Sequence, residues 1–334
     1  MNSSNGALTR SRWYAAMTLM MCSIAVAACS PPAEDEDRGD ADTRTIAHEY
    51  GETVVNGVPK RVASVGLREH DTLLALGVKP VMIHQWYEEY GSGVGPWAVP
   101  LLGDDKPVII PSSASDLNIG EIAAQKPDLI VGTYAAIDKG VYDNLSKIAP
   151  TIVRPRDAED FAVSYAQEAT MIGEAVDKKA EAQQLVSKAD AAFATAAGEH
   201  PEFKGKTAAV GCPLKGGGFG IYTSKDPRGQ FLTKLGFTVP REIDDAAGGK
   251  YYAEISGEQL DMVNDYDELV IIDDCGESTV QLDEHPIFKT LDIAKRKNFV
   301  YPAPASDAVS HNDVLSIPYA LERLVPAIAR TVRE

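Results

Sequence analysis

Residues 177–198 read DKKAEAQQLVSKADAAFATAAG, and this stretch indicates how the two halves of the chain are connected. It contains neither glycine nor proline before Gly198, and its apolar residues recur every three or four positions, at Ala182, Leu185, Ala189, Phe193 and Ala196. This pattern predicts one long helix with Asp177 at its N-cap. At ~1.5 Å per residue the helix would span on the order of 30 Å, enough to connect two lobes as a stiff strut. An ordinary surface helix of one lobe is the alternative.

Short apolar runs alternate with amphipathic segments on both sides of this helix, which is typical of parallel sheets covered by helices. Strands are predicted at residues 62–65, 80–83, 129–132, 151–153, 207–210, 268–272 and 299–301, and helices at 71–76, 119–125, 142–148, 228–235, 256–263 and 313–330. We therefore predict an α/β protein of two parallel-sheet lobes joined by one long α-helix, with a ligand cleft between the lobes. The N-terminal lobe covers residues 45–157, a helical segment 158–200, and the C-terminal lobe 201–334.

The N-terminus is typical of a secretory leader. Arg10 and Arg12 precede an apolar run at residues 13–28 that is too short for a stable membrane span. The run ends in VAAC, the small-residue pattern of a bacterial lipoprotein cleavage site, so we predict a signal peptide at 1–28 and lipidation of Cys29. An ordinary secretory signal with an accidental cysteine is the alternative.

Residues 29–44 are rich in Asp and Glu and predict a lipidated, flexible tether. Together with the signal peptide, this tether predicts an extracytoplasmic protein anchored to the outer face of the cell membrane. The net charge is −17 and becomes more negative when the signal peptide leaves, because that peptide carries two arginines and no acidic residue. Nucleic acid is excluded as a partner by this charge, and membrane attachment is left to the acyl chain.

The folded part retains two cysteines, Cys212 and Cys275. Each follows an apolar run that predicts a strand, and neighbouring parallel strands would place both cysteines at the same edge of a sheet. Export permits a disulfide, so we predict a bridge between them. Two separate buried thiols are the alternative.

Several short motifs occur in a fixed order along the chain: PKRVAS at 59–64, DTLLALGVKP at 71–80, IAAQKPDLIVG at 122–132, LSKIAPT at 145–151, DPRGQFL at 226–232 and YAEIS at 252–256. In order and spacing they resemble the iron-siderophore substrate-binding proteins of ABC importers, in the group with a helix-linked two-lobe fold. The resemblance implies a monomer without cofactor or catalysis that holds a ferric siderophore between its lobes. It also implies delivery to a membrane permease with its ATPase.

The loops that follow the strands are where open parallel sheets bind ligands. Aromatic rings give flat contact area for a large chelate, and a guanidinium offers fixed donors to anionic oxygens. On these grounds the predicted ligand contacts are Trp86, Tyr87, Tyr90, Trp97 and Tyr134 in the first lobe and Tyr222, Arg228, Tyr251 and Tyr252 in the second. Packing inside a lobe is the alternative for the aromatic residues, and a salt bridge at a helix start is the alternative for Arg228.

The resemblance also implies acidic residues that dock each lobe onto the permease. Alignment places the first-lobe acid at Asp71, with Glu69 just before it, whereas the second-lobe position falls near Thr233 and stays unassigned. The alternative is an acidic helix N-terminus that complements the helix dipole.

Other functions are weaker candidates. Cobalamin or haem capture is a variant on the same fold. A secreted hydrolase lacks a Gly-x-Ser-x-Gly elbow, a His-Glu-x-x-His helix and a Cys-x-x-Cys pair, and a surface adhesin would not close on a small ligand. Direct binding of a bare metal ion is not favoured, because the six histidines are scattered without a short paired spacing.

Overall fold

The computed structural model describes residues 43–112, 116–214, 218–272, 282, 285–303 and 305–332. The described chain begins with an antiparallel hairpin of β1 (Thr43–His48) and β2 (Gly51–Asn56). Alternate residues are buried, among them Ile46 and Val55, as expected for a strand pair with one face on a core. The hairpin was not predicted, and it takes the last two residues of the predicted tether. Cys29 and the signal peptide lie outside the described residues.

The first sheet is entirely parallel and has the order β5-β4-β3-β6-β7. Its strands are β3 (Val62–Ser64), β4 (Met82–His84), β5 (Val108–Ile110), β6 (Leu129–Gly132) and β7 (Thr151–Val153). All but β5 were predicted. The sequence signal of β5 was hidden because its three residues lie between Pro107 and Pro111, a context that indicates a loop.

Helices cover both faces of this sheet: α1 (Glu69–Ala75), α2 (Val99–Leu102), α3 (Ile119–Ala124), α4 (Lys139–Leu145) and α5 (Tyr165–Ala175). Successive strand residues point to opposite faces. Leu129 therefore packs with Leu73 of α1 and Ile172 of α5, whereas Ile130 packs with Ile122 of α3. Sheet and helices together form the first lobe.

The predicted long helix is present as α6 (Lys179–Glu199), 21 residues and therefore ~31 Å long. Ala182, near its start, belongs to the hydrophobic core of the first lobe. Ala189 and Phe193, further along, belong to the core of the second half of the chain. The helix thus connects the two lobes, as predicted. Its N-cap is Lys178 rather than Asp177, which adopts a positive φ of 60° in the tight link after α5.

The second sheet has the order β10-β9-β8-β11-β12, the same arrangement as the first. Its strands are β8 (Ala208–Pro213), β9 (Phe219–Tyr222), β10 (Tyr252–Ile255), β11 (Glu268–Ile271) and β12 (Phe299–Val300). The three predicted strands, β8, β11 and β12, are parallel, but β9 and β10 were not predicted, and β9 runs antiparallel to both β8 and β10. The physical reason is the connection at 214–218, which is too short for the crossover that parallel strands need.

The helices of the second lobe are α7 (Pro227–Lys234), α8 (Arg241–Ala247), α9 (Asp292–Arg296), α10 (Ser306–His311) and α11 (Ser316–Thr331), with 3-10 helices at Pro201–Phe203, Gly257–Val263 and Phe288–Thr290. Residues 41–334 form one compact unit. Among the described helices, none has the combination of length and apolar character that crossing a bilayer requires.

The arrangement of β8 and β11 bears on the predicted disulfide. The two strands are parallel neighbours, with Gly211 paired to Ile271, as the disulfide prediction assumed. Cys212 is disulfide-bonded. Its predicted partner, Cys275, lies outside the described residues, so the pairing itself stays a prediction.

Candidate ligand-binding cleft

A cavity of about 300 Å³ lies between the two lobes and has walls from both. The first half of the chain contributes Leu67, Trp86, Tyr134 and Phe161, and the second lobe contributes Leu214, Tyr222, Arg228, Tyr251 and Tyr252. The cavity therefore brings together most of the predicted ligand contacts. A volume of this order is typical of small-molecule sites.

The first-lobe wall consists of loops at the carboxyl ends of the strands. Leu67 follows β3, Trp86 follows β4 and Tyr134 follows β6. In this sheet order the connections after β3 and β6 leave in opposite directions, which creates the crevice where open α/β sheets bind ligands. The backbone N–H of Leu67 donates to the carbonyl oxygen of Tyr134 at 3.1 Å, so the two loops hold each other in place.

The second-lobe wall is built around β9, β10 and the first turn of α7. Tyr222 at the end of β9 pairs with Tyr252 at the start of β10. The helix begins so close to β9 that a Cβ on Gly229 would lie 2.0 Å from the carbonyl oxygen of Thr223. Only glycine permits this approach, which directs Arg228 toward the cleft.

The side chain of Arg228 is 6% exposed, and its neighbours hold it in a fixed position. Its guanidinium lies 4.1 Å from the ring centre of Tyr222 and 5.6 Å from that of Trp86, across the cleft. Nη1 donates to Asp226 at 3.2 Å, and Nε donates to the Ser310 hydroxyl at 3.4 Å. Arg228 thus both makes the helix-start salt bridge and lines the cavity.

The phenol of Tyr252, in the second wall, is protonated. Tyr252 donates to Glu254 at 2.6 Å, and this hydrogen bond, together with burial, raises the pKa of Tyr252 to about 12. The phenol therefore keeps its proton at neutral pH. The cavity can stack a flat guest against rings and offer its oxygens a guanidinium and phenol groups.

Three predicted contacts lie beside the cavity instead of lining it. Tyr87 stacks on Trp86 with ring centres 5.6 Å apart. Tyr90 donates to Asp307, and Trp97 donates to Asp71. The structure thus favours the packing alternative for Tyr90 and Trp97, because their polar atoms bind protein groups.

The two predicted docking acids are buried. Glu69 and Asp71 are both 0% exposed, whereas a permease contact must be accessible. Glu69 accepts hydrogen bonds from the backbone N–H groups of Arg68 and Tyr134, which folds the loop after β6 onto α1. The assignment of Glu69 and Asp71 as docking residues is therefore corrected for this conformation. Their place after a strand and in a first helical turn gave no sign of their burial.

Directly behind the cavity lies a set of buried side chains that we call the interlobe polar cluster: Arg68, His70, Asp71, Glu168, His311 and Asp313, each at most 2% exposed. Arg68 donates to Glu168 at 2.9 Å and to the carbonyl oxygen of His311 at 2.5 Å. Burial alone would lower the pKa of Arg68, but Glu168, Tyr134 and Asp313 together outweigh this effect and the pKa is raised. The cation therefore joins the first lobe to the end of α10 in the second.

Sequence reasoning missed Leu67, Phe161 and Leu214 as lining residues. Leu67 and Leu214 follow the first strand of each five-stranded sheet, so the strand-end rule could have identified them, but they are apolar and carry no chemical signal. Phe161 lies in a loop before α5, where no pattern marks it, and it adopts a positive φ of 60°.

Comparisons with known proteins assign the chain to a family. Residues 62–305 match the periplasmic binding protein family. The Fe(3+)-citrate-binding protein YfmC of Bacillus subtilis is 28% identical over 83% of this chain and 84% of its own length.

Solved structures share the fold as well. A periplasmic solute-binding protein of Mycobacterium smegmatis superposes with a TM-score of 0.78 at 33% identity, covering 88% of this chain and all of that one. Streptococcus pneumoniae PiaA in complex with ferrichrome superposes with a TM-score of 0.74 at 27% identity, covering 86% of this chain and 98% of that one. The chain belongs to the periplasmic binding protein family.

Proposed function

We propose that this protein captures a ferric chelate in the cleft between its lobes and delivers it to the permease of an ABC importer. The observation that carries the proposal is the composition of the cavity. Rings from both lobes face one space, and Arg228 enters it from the second lobe. Guests with a broad, rigid surface and anionic oxygens around a metal fit such a lining.

Known relatives support this ligand class. YfmC is named for Fe(3+)-citrate, and PiaA was solved with ferrichrome. The two ligands differ in size and charge, so the relatives support ferric chelates as a class and leave the individual chelate to experiment. The family consists of binding proteins, and we propose that the present chain likewise binds without catalysis.

Delivery requires the protein to stay near its permease. We propose that Cys29 carries a lipid that holds the monomeric protein at the outer face of the membrane, with residues 30–42 as the tether. A Cys29→Ser variant should then leave the membrane fraction and appear as soluble protein. Retention of that variant in membranes would show a different mode of attachment.

Binding can be measured by titrating tryptophan emission with ferric citrate, ferrichrome and a ferric catecholate. Trp86 lines the cavity, so a bound chelate should quench its emission. Ferric complexes also absorb light, so the gallium forms of the same chelators serve as controls and should compete for binding with little absorption. If no ferric or gallium chelate of these classes binds, the proposed function is wrong.

A further inference from the structure

Three residues of types that bind metal ions meet between the lobes. His70 and Asp71 lie in α1 of the first lobe, and His311 ends α10 of the second. One ligand atom from each lies within 4.8 Å of the others, and all three residues are buried. Imidazole nitrogen and carboxylate oxygen are the ligands that Zn²⁺ and its neighbours among the divalent transition metals accept.

The distance between the first two ligands fits a shared ion. His70 Nε2 lies 3.6 Å from Asp71 Oδ1. Two ligands about 2.1 Å from one tetrahedral ion are separated by roughly 3.4 Å, so this pair needs almost no movement. His311 has to approach by a small rotation of its ring or of α10.

Unsatisfied atoms point to a ligand at this place. Both ring nitrogens of His70 are buried and form no hydrogen bond among the described residues, and the neighbour of the buried Oδ1 of Asp71 is the carboxyl of Asp313, with which Asp71 can share a proton. Leaving a buried polar atom unpaired costs about 1–3 kcal/mol. An ion bound by His70 Nε2 and Asp71 Oδ1 would satisfy one of these nitrogens.

In two of the three side chains, the atoms that would not bind the ion already form hydrogen bonds of the kind found in metal sites. His311 Nδ1 lies 3.0 Å from the carbonyl oxygen of Asp307, which can only accept, so Nδ1 carries the proton and Nε2 has the lone pair. Asp71 Oδ2 accepts from Trp97 Nε1. Such outer hydrogen bonds orient the side chains of metal ligands.

The local charge also calls for a cation. Glu69, Asp71, Glu168 and Asp313 are carboxyl groups with 0% exposure, and the fully buried cation among them is Arg68. Either protons or a metal ion must balance these carboxyl groups.

We propose that a divalent transition-metal ion of the Zn²⁺ class binds between the lobes on His70, Asp71 and His311, separate from any iron carried in the cleft. The ion would join α1 to α10 and so restrain the lobes next to the cavity.

The test uses the purified full chain, stripped with a chelator, incubated with ZnCl₂ and desalted. Elemental analysis should find about one equivalent of zinc per chain, and the melting temperature should rise because the ion binds the folded state. With Co²⁺ instead of Zn²⁺, a four-coordinate site should give strong visible absorption, in contrast to the weak absorption of hydrated Co²⁺.

Variants assign the ligands. His70→Gln and His311→Gln should each lose the retained zinc, whereas His200→Gln should keep it, although His200 also lies 3.1 Å from a carboxylate, that of Glu202. If either ligand variant fails to fold, the Co²⁺ spectrum of the unaltered protein decides. Absence of retained zinc in that protein, or zinc retained by both ligand variants, would overturn the proposal. No ferric chelate enters this experiment, so its failure leaves the cleft assignment untouched.

Discussion

The cavity and the interlobe polar cluster lie between the same two lobes and are built in opposite ways. The cavity is lined by rings and stays partly open, and Arg228 supplies a cation with a fixed orientation. The cluster is fully buried: Arg68 pairs with Glu168 inside the first lobe and donates to the carbonyl oxygen of His311 across the interface. A guest can enter only where side chains still face free space, so the cavity is the place for recognition and the cluster the place for fixing the lobes.

Tyr134 belongs to both regions and shows how they depend on each other. One side of its ring lines the cavity, and the guanidinium of Arg68 lies 3.8 Å from its centre. The buried ion pair therefore supports a wall of the binding site. Substitutions on the cluster side of this ring should mainly change stability, and substitutions on the cavity side should mainly change ligand binding.

The largest effect is expected at the ion pair. Arg68→Met should lower the free energy of unfolding by about 3–5 kcal/mol, because it leaves Glu168 buried without its partner. Even beside Arg68, burial raises the pKa of Glu168 to about 7. Without Arg68 the folded state holds this proton more tightly than the unfolded state does, so the loss should be greater at pH 8 than at pH 6. Urea unfolding at both pH values measures it.

Arg154→Met is the matched control for this variant. Arg154 pairs with Glu49 and Asp160 in the first lobe, but its side chain and both partners are partly exposed. Removing it should cost about 1 kcal/mol or less. Equal losses in the two variants would show that burial of the pair is not what distinguishes the cluster.

On the cavity side, Arg228→Gln should weaken binding of the ferric chelate roughly 10- to 100-fold, since a hydrogen bond to a charged group contributes about 1.5–3 kcal/mol. Lys234→Gln is the control, because Lys234 ends the same helix and pairs with Asp190 away from the cavity. Fluorescence titration of both variants gives the dissociation constants. A chelate that binds the Arg228 variant as tightly as the unaltered protein is not held by this guanidinium.

Much of the fold could be predicted because its strands are apolar runs in a regular alternation with helices. The long helix was predicted from periodicity at Leu185 and Phe193, a local signal. The failures have local causes too. The strand at 108–110 is enclosed by prolines, and the direction of β9 depends on a connection whose length the strand pattern does not reveal.

The cavity was predictable where the loop after a predicted strand carries an aromatic residue, as at Trp86, whereas Arg228, in the first turn of α7, was predicted from the chemistry of its guanidinium. The interlobe polar cluster was not. Arg68 and His311 are 243 positions apart and become neighbours only because two lobes meet. Scattered histidines argued against a metal site for the same reason, since sequence spacing cannot show a pairing made by tertiary structure.

Outside the predicted signal peptide the chain has two tryptophans, Trp86 in the cavity wall and Trp97 beside the interlobe polar cluster. Their emission permits an optical test of the comparison. Trp86→Phe should remove most of the quenching by the chelate and weaken binding by about 0.5–1.5 kcal/mol, the contribution of an aromatic contact. Trp97→Phe should keep the response, because Trp97 lies in the interface beside His311 and Tyr319. Loss of the response in the Trp97 variant instead would mean that the guest reaches the polar side.

The last test concerns a buried carboxyl that lies within one lobe and has no guanidinium partner in the described part of the chain. Glu268 at the start of β11 is 0% exposed and accepts a hydrogen bond from the Thr331 hydroxyl at 2.5 Å. Burial raises the pKa of Glu268 from 4.5 to about 8, so the folded state binds its proton more tightly and stability falls as pH rises through this window. Glu268→Gln should therefore be close to the unaltered protein at pH 5 and exceed it at pH 8 by up to about 3–4 kcal/mol, because each pH unit between the unfolded and folded pKa values costs about 1.4 kcal/mol. The control is Glu258→Gln: Glu258 is exposed, so its substitution should leave the free energy of unfolding unchanged at both pH values. If the stability of the Glu268 variant depends on pH as steeply as that of the unaltered protein, the pH dependence comes from other groups, with the interlobe polar cluster as the next candidate.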